Sequence, residues 1–277
     1  MSAAQPQFSL NHMTTPNLSV QDFFALSKSL GIDAVEIRND LRNNAIIDGT
    51  PAEQVKQLAQ EAGVKIVSIN ALQRFNEWTP ERQQEAIELA DYAQACGSEA
   101  LVLVPVNDGS GKADGQREAN LRTALGALKP ILASRGLIGL VEPLGFEICS
   151  QRSKKEVVDA IKAVDGLNTF RMVHDTFHHH LAGEGQFFPE LTGLVHISGV
   201  ADQGVPVSEM RDPHRVFVDS NDKLGNIEQI NTLLKQGYKG YFSFELFSGE
   251  VHKLSNPAEA IQTSIDYIRQ GLSRSLI

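Results

Sequence analysis

The sequence predicts an α/β protein built as a single (β/α)8 barrel, and three observations carry that expectation. Eight short apolar runs recur along the chain, amphipathic segments with helix punctuation separate them, and charged or amide side chains gather where the runs end. Runs that are apolar nearly throughout suit parallel strands covered on both faces. Regular alternation of such strands with helices is the mark of an α/β architecture. The 277 residues fit one barrel domain over 1–277, since such barrels commonly reach this length as a unit. Surface scaling gives roughly 12,000 Å² exposed when folded against about 44,000 Å² for the open chain, so a large core can be buried.

The elements follow in order. The first run, Gln7–His12, leads to Ser19-Val-Gln-Asp22, a capping side chain with an acid three residues on that can satisfy the free N–H groups of a first helical turn. Phe23, Leu26 and Leu30 then recur at helical spacing, and Gly31 follows the helix end. After the second run, Ala34–Arg38, the same signature appears in Thr50-Pro-Ala-Glu53, with Pro51 expected at the first helical position, where a missing N–H costs nothing. Gly63 closes that helix. The third run, Lys65–Ala71, precedes a helix opened by Pro80, carried by Ala86, Leu89, Ala90 and Ala93, and ended at Gly97. Runs four to seven are Ala100–Val106, Leu137–Leu144, Phe170–Asp175 and Leu194–Ser198. The stretch Gly199–Gly225 has no strong periodicity, and a loop of that length in a compact domain is a candidate lid. The eighth run, Tyr241–Phe247, is followed by Asn256-Pro-Ala-Glu259, with Pro257 at a helix start and Ile261, Ile265, Ile268 and Leu272 along one face. The turn after the first run, Asn11-His-Met-Thr-Thr-Pro, holds no glycine, which argues against an open dinucleotide-binding sheet.

Composition narrows the function classes. With 25 Lys+Arg against 34 Asp+Glu the formal net charge is −9. A nucleic-acid partner would need clustered basic residues, and the longest basic run is the pair Lys154-Lys155. Cys96 and Cys149 make neither a disulfide framework nor a CxxC site. The opening MSAAQPQFSL lacks the basic start and apolar core of a signal peptide, and the longest apolar stretch is a strand's length, so a cytoplasmic protein without a membrane partner is expected. A homo-oligomer is compatible with these helices.

In a barrel of this kind the site forms at the C-terminal ends of the strands. There the runs end in Asn11 and His12, Glu36 and Arg38, Asn70, Glu142, His174 and Asp175, His196, and Glu245. A charge ending a buried strand is costly unless paired, hydrogen-bonded or metal-bound. Glu142, Asp175, His196 and Glu245 come from the last four strands, and three carboxylates with one imidazole can converge on one divalent cation. Their oxygen-rich set favours Mn²⁺, with Mg²⁺ and Co²⁺ close behind, while the imidazole also suits Zn²⁺. His178, three residues after Asp175, can face the same mouth; His174 is expected to point away, as strand neighbours do. His179 and His180 are read as surface residues or as support behind the site. Asn70 and Glu36 are further candidates for substrate contact. Phe75 and Trp78 could wall the pocket, and Arg211, Asp212, His214 and Arg215 stand in the candidate lid.

The chain resembles the sugar phosphate isomerase/epimerase superfamily with its xylose isomerase-like barrel over essentially its whole length. Within it the chain is most similar to the inosose (2-keto-myo-inositol) isomerases, through Val35-Glu-Ile-Arg38, Asn70-Ala-Leu72 with Phe75-Asn76, Asp175-Thr-Phe-His178 with His180, Asp212-Pro-His-Arg215 and Phe244-Glu-Leu-Phe247. The resemblance implies a metal held by Glu142, Asp175, His196 and Glu245, and substrate contact by His178 and Arg215. Two departures stand out. Gly145-Phe146-Glu147 replaces the Asn-Arg pair and second Glu that ketose 3-epimerases carry, and Val216 to Asp222 replaces a Pro-Gly-x-Gly.

The implied chemistry is proton transfer. A divalent cation on a ketone and its neighbouring hydroxyl acidifies the carbon between them, and an enediolate stabilised by the metal leads to the isomer or epimer. Glu142 and Glu245 are then the expected acid/base pair. The expected substrate is a keto-polyol or sugar, foremost 2-keto-myo-inositol in inositol catabolism. The alternatives are a dehydratase of an inosose or related keto-polyol, a ketose 3-epimerase or hydroxypyruvate isomerase, a metal-dependent phosphodiesterase or DNA-repair endonuclease, and a sugar-binding barrel without catalysis. The nuclease is disfavoured by the net charge.

Overall fold

The computed structural model describes residues 5–41, 46 and 49–274. Eight parallel strands pair in chain order and the last returns to the first, closing the barrel. They are β1 (Gln7–Asn11), β2 (Ala34–Arg38), β3 (Lys65–Gln73), β4 (Ala100–Val104), β5 (Ile138–Val141), β6 (Phe170–Asp175), β7 (Thr192–Ile197) and β8 (Tyr241–Phe244). Between and after them run α1 (Val20–Ser29), α2 (Ala52–Ala62), α3 (Pro80–Cys96), α4 (Gln116–Ala133), α5 (Lys154–Ala163), α6 (Thr176–Ala182), α7 (Asn226–Lys235) and α8 (Pro257–Arg274). The surface is 12067 Å². No described helix is long and apolar enough to cross a membrane. The start of the chain, searched above for a leader, lies partly outside the described residues, at positions 1–4.

Helix boundaries follow the caps. Ser19 Oγ accepts from the Asp22 N–H at 3.1 Å and donates to its carboxylate at 2.7 Å. Asn256 accepts from the Glu259 N–H at 3.5 Å and donates to its carboxylate at 3.0 Å. Gly63 and Gly97 take the left-handed conformation, with φ of 65° and 81°, as the residues after α2 and α3. Pro80 and Pro257 open their helices. Pro51 does not: with ψ at 140° it stands outside α2, which begins at Ala52.

Strand alternation sorts the side chains into two layers. Leu10, Val35, Ile37, Leu101, Leu103, Val141, Met172, Val195, Ile197, Phe242 and Phe244 join the large cluster shared with the helices. Residues of the opposite parity, among them Val102, Leu140, Val173 and Leu194, form a separate cluster inside the barrel. Glu142, Asp175 and His196 each lie two residues beyond one of these inward positions, and Glu245 lies two beyond Ser243. The inward parity therefore delivers all four to the barrel mouth.

Five of the sequence-derived strands overrun the observed ones, β1 and β7 by a single residue and three by more. β4 stops at Val104, β5 at Val141 and β8 at Phe244. Pro143 has no N–H to continue β5. Glu142 and Glu245 sit one residue past the ladder, each anchored by a last backbone bond, to Leu103 O and to Ile197 O, both at 3.1 Å.

Candidate metal centre

Four side-chain ligand atoms, one each from Glu142, Asp175, His196 and Glu245, lie within 4.8 Å of one another, and all four residues are buried. Donors bound at about 2.0–2.6 Å to one centre are at most about 4–5 Å apart, so this cluster can hold a single ion. The carboxylates converge on His196 Nδ1, with Glu142 Oε1 at 2.9 Å, Glu245 Oε2 at 3.2 Å and Asp175 Oδ2 at 3.8 Å. Asp175 has its other oxygen occupied: Oδ1 caps α6, accepting from the Phe177 and His178 N–H groups at 2.7 and 3.0 Å. The cap turns Oδ2 toward the cluster.

Charge supports the same reading. The buried carboxylates of Glu36, Glu142, Asp175 and Glu245 face two buried guanidiniums, Arg38 and Arg215. With His196 neutral, the form in which an imidazole ligates a metal, this leaves an excess of two negative charges, the complement of one divalent cation; without an ion, protons on His196 and Glu142 offset it. Burial alone would lower the His196 pKa, but Glu245, Glu36 and Glu142 around it hold it well above the ordinary value. Burial raises the Glu142 carboxyl, and Glu245 and Asp175 add to the rise. Glu245 moves the other way: burial would raise it, but His196, Arg215 and Arg38 hold it well below the usual carboxylate range.

Arg215 comes from the segment between β7 and α7. That segment carries single 3-10 turns at Val207–Glu209 and Asp212–His214 and is pinned by a bridge between Gly199 and Val216. Its guanidinium donates from Nη2 to Asp175 Oδ2 at 2.7 Å and Glu245 Oε2 at 3.0 Å, and from Nε to Ser198 Oγ at 3.0 Å. The Phe247 and Phe177 rings flank it at 4.7 and 5.1 Å. Arg38 donates to Glu245 Oε1 at 2.7 Å and is held from behind by Asp40.

Above the cluster opens a cavity of about 350 Å³, whose wall includes Arg38, Asn70, Glu142, His178, Arg215 and Glu245. Asn70 Nδ2 reaches Glu245 Oε1 at 3.4 Å, just where the β3–β4 ladder slips a residue. His178 is buried, and its Nδ1 has no hydrogen-bond partner among the described residues. A buried polar atom of this kind costs stability unless a ligand or water meets it.

Glu36 lies elsewhere than expected. Rather than lining the cavity it is enclosed one inward step deeper on β2 than Arg38, which takes the mouth position. Both its oxygens stand 3.2 Å from His196 Nε2, and Ser68 and Ser243 each donate to it at 2.5 Å. Phe75 belongs to the core and Trp78 packs against it, so neither walls the cavity. His174 points away from the cluster, its Nε2 on Gln229 Oε1 at 2.9 Å. His179 is buried, accepting from Lys154 Nζ at 2.6 Å. His214 is turned to its own loop, its Nδ1 taking the Arg211 N–H at 2.9 Å. Sequence reasoning missed the grip of Arg38 and Asn11 on Glu245, although both were visible as polar strand ends.

The fold is shared with known proteins. Residues 24–271 match the family model described as the xylose isomerase-like TIM barrel, and the chain belongs to that family. Among solved structures, it is similar to a xylose isomerase domain-containing protein from Salmonella typhimurium, at 33% identity and a TM-score of 0.89, covering 97% of this chain and 99% of that one. It also resembles the IolI protein solved with a bound zinc atom, at 22% identity and TM-score 0.84, covering 97% and 98%. A third neighbour is a 3-keto-D-glucoside 4-epimerase from E. coli, at 18% identity and TM-score 0.70, covering 96% and 100%. Among proteins with curated descriptions, none matches this chain.

Proposed function

We propose that this protein is a divalent-metal-dependent isomerase or epimerase of a keto-polyol or sugar, with 2-keto-myo-inositol as its foremost substrate and inositol catabolism as its setting. The observation that carries the reading is the buried cluster of Glu142, Asp175, His196 and Glu245, set beneath a cavity whose wall includes Arg38, Asn70, His178 and Arg215. Zinc in the IolI protein and sugar substrates among the structural neighbours support it. Mn²⁺ suits the three carboxylates best, and Zn²⁺, Co²⁺ or Mg²⁺ also fit.

Held by these four side chains, a divalent cation would polarise a ketone and acidify the carbon between it and a neighbouring hydroxyl. Glu142 and Glu245 both line the cavity and move the proton off that carbon and back. Arg215, clamped between two rings, holds a substrate oxygen by charge-assisted hydrogen bonds. His178, in the cavity wall, donates to or accepts from another oxygen. Asn70 contributes its amide at the cavity wall. The segment over residues 199–225 brings Arg215 to the mouth and acts as a lid.

Proton NMR of 2-keto-myo-inositol in D₂O with Mn²⁺-loaded protein, stripped of metal before acquisition, tests the proposal. Deuterium beside the ketone together with a new keto-inositol is expected, and neither with Glu245→Gln. Loss of water to a diketone would assign the chain to the dehydratases. No exchange would remove this substrate, and ketohexoses and hydroxypyruvate would be the next to try.

A further inference from the structure

Beside the cavity over the metal centre lies a second one of about 500 Å³. Asn107, Phe146 and Asp212 stand in the walls of both, so the two adjoin at these residues. The first is lined mostly by charged and amide residues, with Val104, Leu144 and Phe247 among them. In the second, Phe146, Ile148, Leu181 and Val207 stand beside polar residues that include Arg211 and Glu147.

Two features suggest that the second cavity takes a ligand. Four large apolar side chains stand exposed among the described residues, and two of them, Ile148 at 50% and Val207 at 43%, meet here. Exposed apolar surface gathered in a concave site marks a place that is covered when it works. The partition itself is also prepared. The Phe146 ring lies edge-on to His178 at 5.1 Å and to Phe177 at 6.0 Å, with the Arg211 guanidinium 5.9 Å over it. Next to it Asn107 stands in the walls of both chambers, its Oδ1 enclosed without a hydrogen-bond partner among the described residues.

We propose that the second cavity is a subsite for an apolar substituent, an aryl or alkyl group, joined through oxygen to the sugar or polyol ring held in the first. Ile148, Leu181 and Val207 enclose the substituent, which passes Asn107 and Phe146 where the two cavities adjoin. The proposal deepens the functional reading above and rests on it in placing the sugar ring over the metal centre.

The test compares methyl β-D-glucopyranoside with 4-nitrophenyl β-D-glucopyranoside on Zn²⁺-loaded protein, by saturation-transfer NMR and competition titration. The aryl protons should saturate most strongly, and the aryl glucoside should bind about tenfold tighter, ~1.4 kcal/mol. Ile148→Asp and Val207→Asp, both at exposed positions, should each bring the ratio of the two affinities toward one. Equal affinities for the two glucosides, an advantage that survives both substitutions, or no binding of either would overturn the proposal. So would sedimentation showing that copies of the chain associate and that Val207→Asp separates them, since the apolar wall would then be an interface. The readout is a ratio of affinities and needs no turnover. Absence of exchange with 2-keto-myo-inositol would therefore count against the reaction and leave this result standing.

Discussion

Glu36 shows how much of the site lies out of substrate's reach. It is a carboxylate with two serine donors and one imidazole, all inside the barrel. Its contact with Nε2 sets the His196 ring so that Nδ1 faces Glu142, Asp175 and Glu245, and it makes that nitrogen a stronger donor to a cation. Glu36→Gln should lower Zn²⁺ or Mn²⁺ affinity about 10–100-fold, measured by competition with a chromophoric chelator, without enlarging the cavity. His178→Ala should act differently, raising KM and lowering kcat while leaving metal affinity in place, because its Nδ1 touches no member of the cluster. At this scale the four clustered residues were legible, since a charge at the end of an apolar run demands an explanation. The pairing of Arg38 with Glu245 was not, because it joins positions 207 residues apart, and neither residue alone announces the other.

At the scale of elements, α5 carries a concealed cost. Lys154 is half of the longest basic run in the sequence, and its ammonium is buried between His174 Nδ1 at 3.2 Å and His179 Nδ1 at 2.6 Å. Its backbone N–H donates to Glu184 at 2.9 Å and the Phe187 ring lies 5.4 Å away. Burial lowers its pKa from 10.5 to about 8, so the folded chain gives up this proton sooner than the unfolded one. Stability tied to Lys154 is therefore present above the unfolded value and lost as pH falls through about 8. Between those limits the wild type should gain on Lys154→Met by up to about 3 kcal/mol, read from urea unfolding at successive pH values. Gly145 fixes a second element contact. A Cβ there would run into His178 O and the Leu181 side chain, so Gly145→Ala should displace α6 and cost about 1–3 kcal/mol in the same assay. Neither feature is visible before the helices are set on the barrel, because both depend on what packs above a loop.

For the whole molecule, the alternation of strands and helices was readable because apolar runs, caps and helix-ending glycines pointed to the same order, although several strand ends and the position of Pro51 were misplaced. The excess of two negative charges in the barrel mouth was not readable in this way, since it depends on which acids and arginines share one interior. If the cluster takes the proposed metal, ion binding should add to the stability of the fold. Zn²⁺ at 100 times its Kd should stabilise the native state by about 2.7 kcal/mol, or about 5–10 °C in Tm, and EDTA should reverse the shift. The shift should shrink in Glu245→Gln. A thermal melt with and without chelator measures both.

Asp175 divides its two oxygens between a helix and the cluster, and that division turns a local hydrogen bond into a messenger. Whatever fixes Oδ2 also steadies Oδ1 against the amides of Phe177 and His178. Those two amides should then keep a record of occupancy, their hydrogen exchange slowing when a divalent ion is added and quickening when a chelator removes it. A peptide spanning the start of α6 would thus report, on the timescale of exchange and with no substrate present, whether the barrel is charged for work.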